Sequence, residues 1–169
     1  MEPKEFIQLQ FAGVRKQGEG VLNGITDEQF NWAPPGTGNS ISATFLHMLA
    51  SEDRAIQVTL QGKPRMWDTE GWAEKIGLQE TPGVANNWEP AKGKSLSATS
   101  LSEYEQSVRT ATEAYLGRLT SQELERKITV NGRERLAADV ISGTVLHLML
   151  HTGEIAAIKG MLGIKGLPV

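Results

Sequence analysis

The chain of 169 residues has a formal net charge of −3, 39% hydrophobic residues, 22% charged residues and no cysteine. This length suits one domain with its own hydrophobic core, so we predict a single domain over residues 1–169. The charge gives no electrostatic basis for binding nucleic acid or an anionic membrane. Without cysteine there are no disulfides, thiolate ligands or cysteine nucleophiles, so a metal site must use His, Asp or Glu.

The N-terminal sequence MEPKEFIQLQ is charged and lacks the apolar stretch of a signal peptide. No run of the sequence approaches the ~20 apolar residues that a membrane-spanning helix requires. We therefore expect a cytoplasmic protein that does not enter a membrane.

Four segments show the apolar periodicity of amphipathic helices. Pro3 suits the first turn of the first helix, and Asn39 or Ser40 is a suitable N-cap for the second. Between the third and fourth segments, Asn131 and Gly132 indicate a turn. The four predicted helices cover residues 3–23, 40–61, 99–118 and 136–162.

The second predicted helix contains two polar residues at informative positions. Glu52 falls inside the apolar stripe, so its carboxylate must find a buried partner or face a cavity. His47 lies away from the centre of that stripe, where a side chain would line a pocket beside the core.

A long segment, residues 62–98, separates the second and third helices and is rich in Gly and Pro. It contains Trp67, Trp72 and Trp88. Long loops without secondary structure are uncommon in compact domains and are often functional. The tryptophans have two interpretations: the commoner one is that they anchor the loop on the body, and the other is that they line a substrate pocket. Arg54 is a further candidate pocket residue.

A nine-residue segment occurs twice, as ISATFLHML at residues 41–49 and as ISGTVLHLM at residues 141–149. Five of the nine positions are identical, and they include His47 and His147. Weaker matches preceding each copy extend the similarity. We infer an internal duplication of a helix–linker–helix unit, to which coincidence between short strings is the alternative.

Four amphipathic helices predict an all-α four-helix bundle. The crossover at residues 62–98 is long enough to run the length of the bundle, which permits helices 2 and 3 to be parallel. The predicted topology is therefore up-down-down-up, with the long crossover between helices 2 and 3. A pseudo-twofold axis would then bring His47 close to His147.

His147 and His151 are spaced i,i+4, so they lie on the same helix face and can bind one metal ion. His47 is the predicted third ligand. Three imidazoles with open coordination positions are typical of a catalytic site, for which Zn is our first choice of metal and Ni or another divalent ion the alternative. The competing interpretation is three core histidines that are bonded to backbone or carboxylate groups.

Three acidic residues near the histidines are further candidates. Glu154 follows His151 by three residues, so it can orient a ligand histidine, act as a base or remain a surface charge. Glu52 and Asp53 are additional candidate ligands, although neither shares the helix face of His47.

The sequence NSISATFLHMLASEDRAI, together with HxxxH followed by GEI and a late LG, resembles the DinB-like family of metalloenzymes, also called the DinB/YfiT-like superfamily. The segment ITDEQFNWAPPGTGNSI resembles the family's approach to its second helix. The resemblance implies an up-down-down-up four-helix bundle with a Zn or Ni site at His47, His147 and His151. It also implies a homodimer and, as in some members, reactions of low-molecular-weight thiols such as bacillithiol, mycothiol or glutathione. Many relatives have Gln at the position of Glu154.

Three functions compete at this stage. The first is a metal-dependent enzyme, a transferase or hydrolase that activates a thiol or water for reaction with a small-molecule substrate. The second is a non-catalytic, dimeric, stress-associated module that binds a metal or small ligand. The third is a structural bundle without metal.

Overall fold

Helices dominate the computed structural model, which describes residues 1–83 and 87–167. Helix α3 continues beyond Asp53 as a π-helical segment, Arg54–Leu60, and a 3₁₀ turn forms at Glu89–Ala91. The elements in chain order are α1 (Pro3–Leu22), α2 (Asp27–Asn31), α3 (Ile41–Asp53), α4 (Met66–Thr69), α5 (Trp72–Ile76), α6 (Ala98–Leu116), α7 (Ser121–Leu124), β1 (Lys127–Val130), β2 (Arg133–Leu136) and α8 (Ala137–Met161).

The four predicted helices and the all-α fold class are confirmed, with α1, α3, α6 and α8 as the long helices. Local signals define where they begin. Pro3 occupies the first turn of α1, and the Ser40 hydroxyl accepts a hydrogen bond from the Ala43 N–H at 3.2 Å to start α3. The only sheet among the described residues is the antiparallel hairpin of β1 and β2, which turns at Asn131 and Gly132.

Helix α3 packs against both α6 and α8, and α1 packs against α8. Near the ends of α1 and α8, the Lys159 ammonium donates to the Val21 carbonyl at 2.6 Å. Asp53 of α3 accepts from Tyr104 of α6, and just past the C-terminal ends of these two helical segments Gln61 accepts from Arg118. These contacts are compatible with the up-down-down-up order, which remains a prediction.

A buried ion pair links α1 to α3. The Arg15 guanidinium lies 2.5 Å from the Glu52 carboxylate, and the Thr112 hydroxyl of α6 donates to the same oxygen at 2.6 Å. The predicted buried partner of Glu52 is thus Arg15. Arg15, Glu52 and Thr112 thus connect α1, α3 and α6. Removing Arg15 or Glu52 would leave the other charge buried without its partner, which is strongly destabilising.

The crossover after α3 is more ordered than the sequence indicated, because a tertiary contact starts α4. The Asp53 carboxylate accepts hydrogen bonds from the Met66 and Trp67 N–H groups, each at 3.0 Å, and from the Tyr104 hydroxyl at 2.8 Å. Trp67 and Trp72 are buried against Tyr104, with ring centroids 5.6 and 5.2 Å from its ring. Of the two interpretations, the commoner one holds for these two tryptophans: they fill the core and anchor the crossover, and their candidacy as pocket residues is corrected.

Helix α8 corrects the expectation that no segment is long and apolar enough to span a membrane. Among the described residues, it alone is long and apolar enough to cross a membrane, by length and composition. The core helix of a soluble protein has the same properties, and α8 packs against α1 and α3. Its length and composition alone are therefore weak evidence for a membrane span.

Candidate metal centre

Helices α3 and α8 bring the three predicted histidines together. His147 and His151 share one face of α8 because they are spaced by one helical turn, and His47 meets them from α3. One ring nitrogen from each residue forms a set in which all atoms lie within 4.8 Å of one another. The Nε2 atoms of His47 and His147 are 3.0 Å apart, and all three side chains are half-buried.

Hydrogen bonds fix the orientation of two of the rings. The Nδ1 of His47 lies 3.0 Å from the Pro82 carbonyl oxygen, which can only accept. The Nδ1 of His151 lies 2.7 Å from the Glu154 carboxylate. Both contacts place a proton on Nδ1, so the lone pair of each neutral ring that could bind a metal is on Nε2. In the metal-free protein the Nε2 of His47 accepts a hydrogen bond from the Nε2 of His147.

The surroundings favour neutral imidazoles. Burial lowers the pKa of His47, although the hydrogen bond to the Pro82 carbonyl opposes that shift. Burial, together with the neighbouring rings of His151 and His47, lowers the pKa of His147 to about 4. Neutral imidazole is the form that binds a metal, so these two rings need not lose a proton to solvent near neutral pH before binding.

The donor set fits a divalent transition-metal ion. Zn–N bonds are about 2.0–2.1 Å long, so nitrogens around one tetrahedral ion lie about 3.3 Å apart. The observed nitrogens, within 4.8 Å of one another, need only small side-chain movements to reach that spacing. Three neutral nitrogens leave at least one coordination position open, which is the pattern of catalytic sites.

Glu52 and Asp53 lie outside this cluster. Glu52 pairs with Arg15 in the core, and Asp53 holds the start of α4. Neither residue belongs to the group of candidate ligands. Their candidacy as additional ligands is corrected: both carboxylates satisfy buried donors elsewhere.

A cavity of about 240 Å³ adjoins His47. Arg54 lies at this cavity and is exposed to solvent. Trp88 is half-buried, and its ring lies beside that of His47 with centroids 4.8 Å apart and planes inclined at 53°. The described residues that line the cavity are His47, Ala50, Ser51, Arg54, Thr81, Pro82 and Gly83. Larger grooves on other parts of the surface, such as one of about 590 Å³ between α1, α2 and α6, contain none of the histidines.

Sequence reasoning missed Pro82 and Gly83. Both belong to the crossover and touch His47, yet their sequence signal was only that of a turn. Their contact with His47 depends on how the crossover folds back over α3, which local sequence patterns do not specify.

Comparison with known proteins gives the same fold. The model of the DinB superfamily matches residues 10–155. A conserved protein from Enterococcus faecalis superposes with a TM-score of 0.82 at 19% identity, covering 96% of this chain and 99% of that one. No curated protein matches the chain.

Two further crystal structures are similar. A DinB-like protein from Bacillus cereus ATCC 10987 has a TM-score of 0.68 at 15% identity, with coverage of 98% of this chain and 96% of its own. A DinB-like protein from Bacillus subtilis has a TM-score of 0.66 at 20% identity, with coverage of 96% and 95%. These likenesses concern the fold, whereas the family match extends over most of the sequence. The chain belongs to the DinB superfamily.

Proposed function

We propose that this protein is a metal-dependent enzyme that binds one divalent ion, Zn or Ni, through His47, His147 and His151. The observation that carries the proposal is the convergence of three half-buried imidazoles from two helices, with no competing salt bridge to His47 or His147 among the described residues. Histidines that served only as core residues would not need their ring nitrogens gathered in one place.

The chain's own residues supply positioning. Pro82 and Glu154 orient His47 and His151, and Trp88 covers part of the His47 ring. A divalent ion held there supplies Lewis-acid chemistry, which lowers the pKa of a thiol or water. The reaction class we propose is transfer or hydrolysis, with a low-molecular-weight thiol as one candidate substrate.

The cavity beside His47 supports a small, anionic substrate. Its volume of about 240 Å³ admits only a small molecule or one end of a larger one. Arg54 is exposed at this cavity and has no salt bridge among the described residues, so its guanidinium is available for a carboxylate. We therefore infer a substrate with an acidic group, as low-molecular-weight thiols such as glutathione have.

One observation favours the alternative, a non-catalytic metal- or ligand-binding module associated with stress. No carboxylate is among the described residues that line the cavity, and Glu154 is engaged with His151. The described lining of the cavity thus offers no carboxylate that could act as a general base. In this alternative the same three histidines bind the ion, and no thiol or ester substrate is turned over.

We also propose that the protein is a cytoplasmic homodimer. Three large apolar side chains of α8 are exposed, with exposed fractions of 61% for Leu146, 43% for Met149 and 73% for Leu150. Exposed small residues, Gly153 and Ala157, continue this stripe at helical spacing. A stripe of this kind can pack against a second copy of itself about a twofold axis.

The first test is metal analysis of protein without a histidine tag. We expect about one equivalent of Zn or Ni per chain in the wild type and none after His47→Ala, because two imidazoles on one helix hold an ion weakly. Circular dichroism should show the same helical content in both proteins. Wild-type protein that takes up no ion from a buffered metal solution would contradict the proposal.

A thiol-transfer and ester-hydrolysis screen then separates the two functions. Turnover that disappears with His47→Ala supports the enzyme. Stoichiometric metal without turnover of any thiol or ester supports the binding module.

A further inference from the structure

We propose that the dipeptide Pro82–Gly83, here called the His47 strap, is the positioning element that sets the geometry and affinity of the metal site. The inference rests on the proposed three-histidine site. It assigns to the crossover between α3 and α6 a function that neither its position in the sequence nor the helices themselves indicate.

The strap touches His47 in two ways. Its Pro82 carbonyl accepts the Nδ1–H of His47 at 3.0 Å, which leaves Nε2 facing the other histidines. Its Gly83 lies so close to the ring that a Cβ at that position would overlap Nδ1, Cε1 and Cγ of His47. The strap therefore bonds to one ring nitrogen and limits the positions that the ring can occupy.

Gly83 meets two requirements that other residues do not. Its φ of +81° lies in the left-handed region, where a side chain is strained. The approach to His47 also leaves no room for a Cβ. The strap is held in place because the Gly83 N–H donates to the Asn87 carbonyl at 2.7 Å and Thr81, which precedes the strap, is buried.

The strap is needed because the two halves of the site are built differently. His147 and His151 are held in register by α8 itself, and Glu154 on the same helix orients His151. His47 comes alone from α3, where Ser51 occupies the position that corresponds to His151. No residue of α3 bonds to the His47 ring among the described contacts, so the crossover supplies its orienting partner.

The test compares Gly83→Ala with a matched control, Gly93→Ala. Gly93 lies in the same crossover and also has a positive φ, +66°, but a Cβ there would meet nothing within 4 Å. Both variants therefore carry the same kind of backbone strain, and only Gly83→Ala displaces His47. We expect a decrease of a few degrees in Tm for Gly93→Ala and a decrease at least as large for Gly83→Ala, whose Cβ also displaces the His47 ring.

The affinity for metal should differ between Gly83→Ala and Gly93→Ala. Partners that orient a metal-bound histidine are typically responsible for a 10–100-fold difference in metal affinity. We expect Zn affinity, measured by competition with a chromophoric chelator, to fall about 10–100-fold in Gly83→Ala and to stay within about twofold of wild type in Gly93→Ala. The visible spectrum of bound Co²⁺ should change only in Gly83→Ala. Equal affinities and equal Co²⁺ spectra in the two variants would overturn the proposal.

A second measurement needs neither metal nor a folded variant. In wild-type protein treated with a chelator, long-range ¹H–¹⁵N NMR of the imidazoles should show His47 with its proton on Nδ1. A proton on Nε2 would mean that the Pro82 carbonyl does not orient the ring. That result would contradict the positioning function proposed for the His47 strap. If wild-type protein shows the Nδ1–H form but binds no metal, the proposed function fails and the strap's contact with His47 stands.

Discussion

The three histidine rings differ in what holds each of them. His47 bonds to a backbone carbonyl of the crossover, whereas His151 bonds to the Glu154 carboxylate on its own helix. Among the described contacts, the only hydrogen-bond partner of His147 is His47. Replacing one hydrogen-bond partner should therefore disturb only the ring that it orients. The contribution of Glu154 to metal affinity can thus be measured separately from that of Pro82.

Glu154→Ala should weaken Zn binding about 10-fold, because His151 loses the acceptor that fixes its Nδ1 proton. Glu154→Gln should bind Zn more tightly than Glu154→Ala, because the amide oxygen accepts the same hydrogen bond. Competition with a chromophoric chelator measures both affinities. Glu103→Ala, at an exposed position of α6, is the control. An unchanged affinity in Glu154→Ala would contradict an orienting function for this carboxylate.

Metal-free protein should lose stability as the pH falls from about 6.5 to 4. The pKa of His147 is about 4 in the folded protein and 6.5 without the surrounding structure, so the unfolded chain binds more protons in this window. The free energy of unfolding therefore decreases as pH falls. Each pKa unit corresponds to about 1.4 kcal/mol, and screening at this half-buried ring reduces the expected loss to about 2 kcal/mol.

Urea denaturation of chelator-treated protein at pH 7 and pH 4.5 measures this loss. Carboxylates contribute to the same pH dependence, so the informative quantity is the difference between wild type and His147→Gln. The variant should lose about 2 kcal/mol less than wild type between the two pH values. Identical losses in the two proteins would show that His147 does not have a lowered pKa.

Among the elements, the long helices were predictable and the short ones were not. Apolar periodicity and the Ser40 cap are local, so α3 and the other long helices were found within a few residues of their ends. Helix α4 has four residues and depends on the Asp53 carboxylate, which is distant in sequence from its first N–H groups. Similarly, the repeat predicted the meeting of His47 and His147, whereas the contact with Gly83 depends on tertiary folding.

Asp53→Ala should destabilise the protein by about 3 kcal/mol, because the N–H groups of Met66 and Trp67 and the Tyr104 hydroxyl lose their acceptor. Urea denaturation followed by tryptophan fluorescence reports the change, since Trp67 is buried beside this carboxylate. Asp68→Ala is the matched control because its ion pair with Arg65 is partly exposed, and it should cost less than about 1 kcal/mol. Equal effects of the two substitutions would contradict the anchoring function of Asp53.

In the whole molecule, α8 combines three functions on different faces. Ile141, Leu148 and Ile155 are buried in the core. The histidine pair lies at the margin of that face, half-buried, and the stripe with Leu146 and Leu150 faces solvent. The high hydropathy of α8 thus has two sources, the residues buried in the core and the exposed stripe. The single chain leaves the stripe exposed to solvent, and a second copy of the protein would cover it.

Leu150→Glu should convert the proposed homodimer into monomers. A glutamate at the centre of the stripe would have to be buried, unpaired, against the same residue of the other copy, and that costs several kcal/mol. Light scattering coupled to size-exclusion chromatography measures the mass. Val58→Glu, at a position of α3's π-helical segment that is 40% exposed, introduces the same charge at a residue that is not part of the stripe and should leave the mass unchanged. Because Leu150 is 73% exposed in the single chain, metal content and helical content should be retained in the monomer.

Wild-type protein that is monomeric at micromolar concentration, or a Leu150→Glu variant that stays dimeric, would show that this stripe is not the interface.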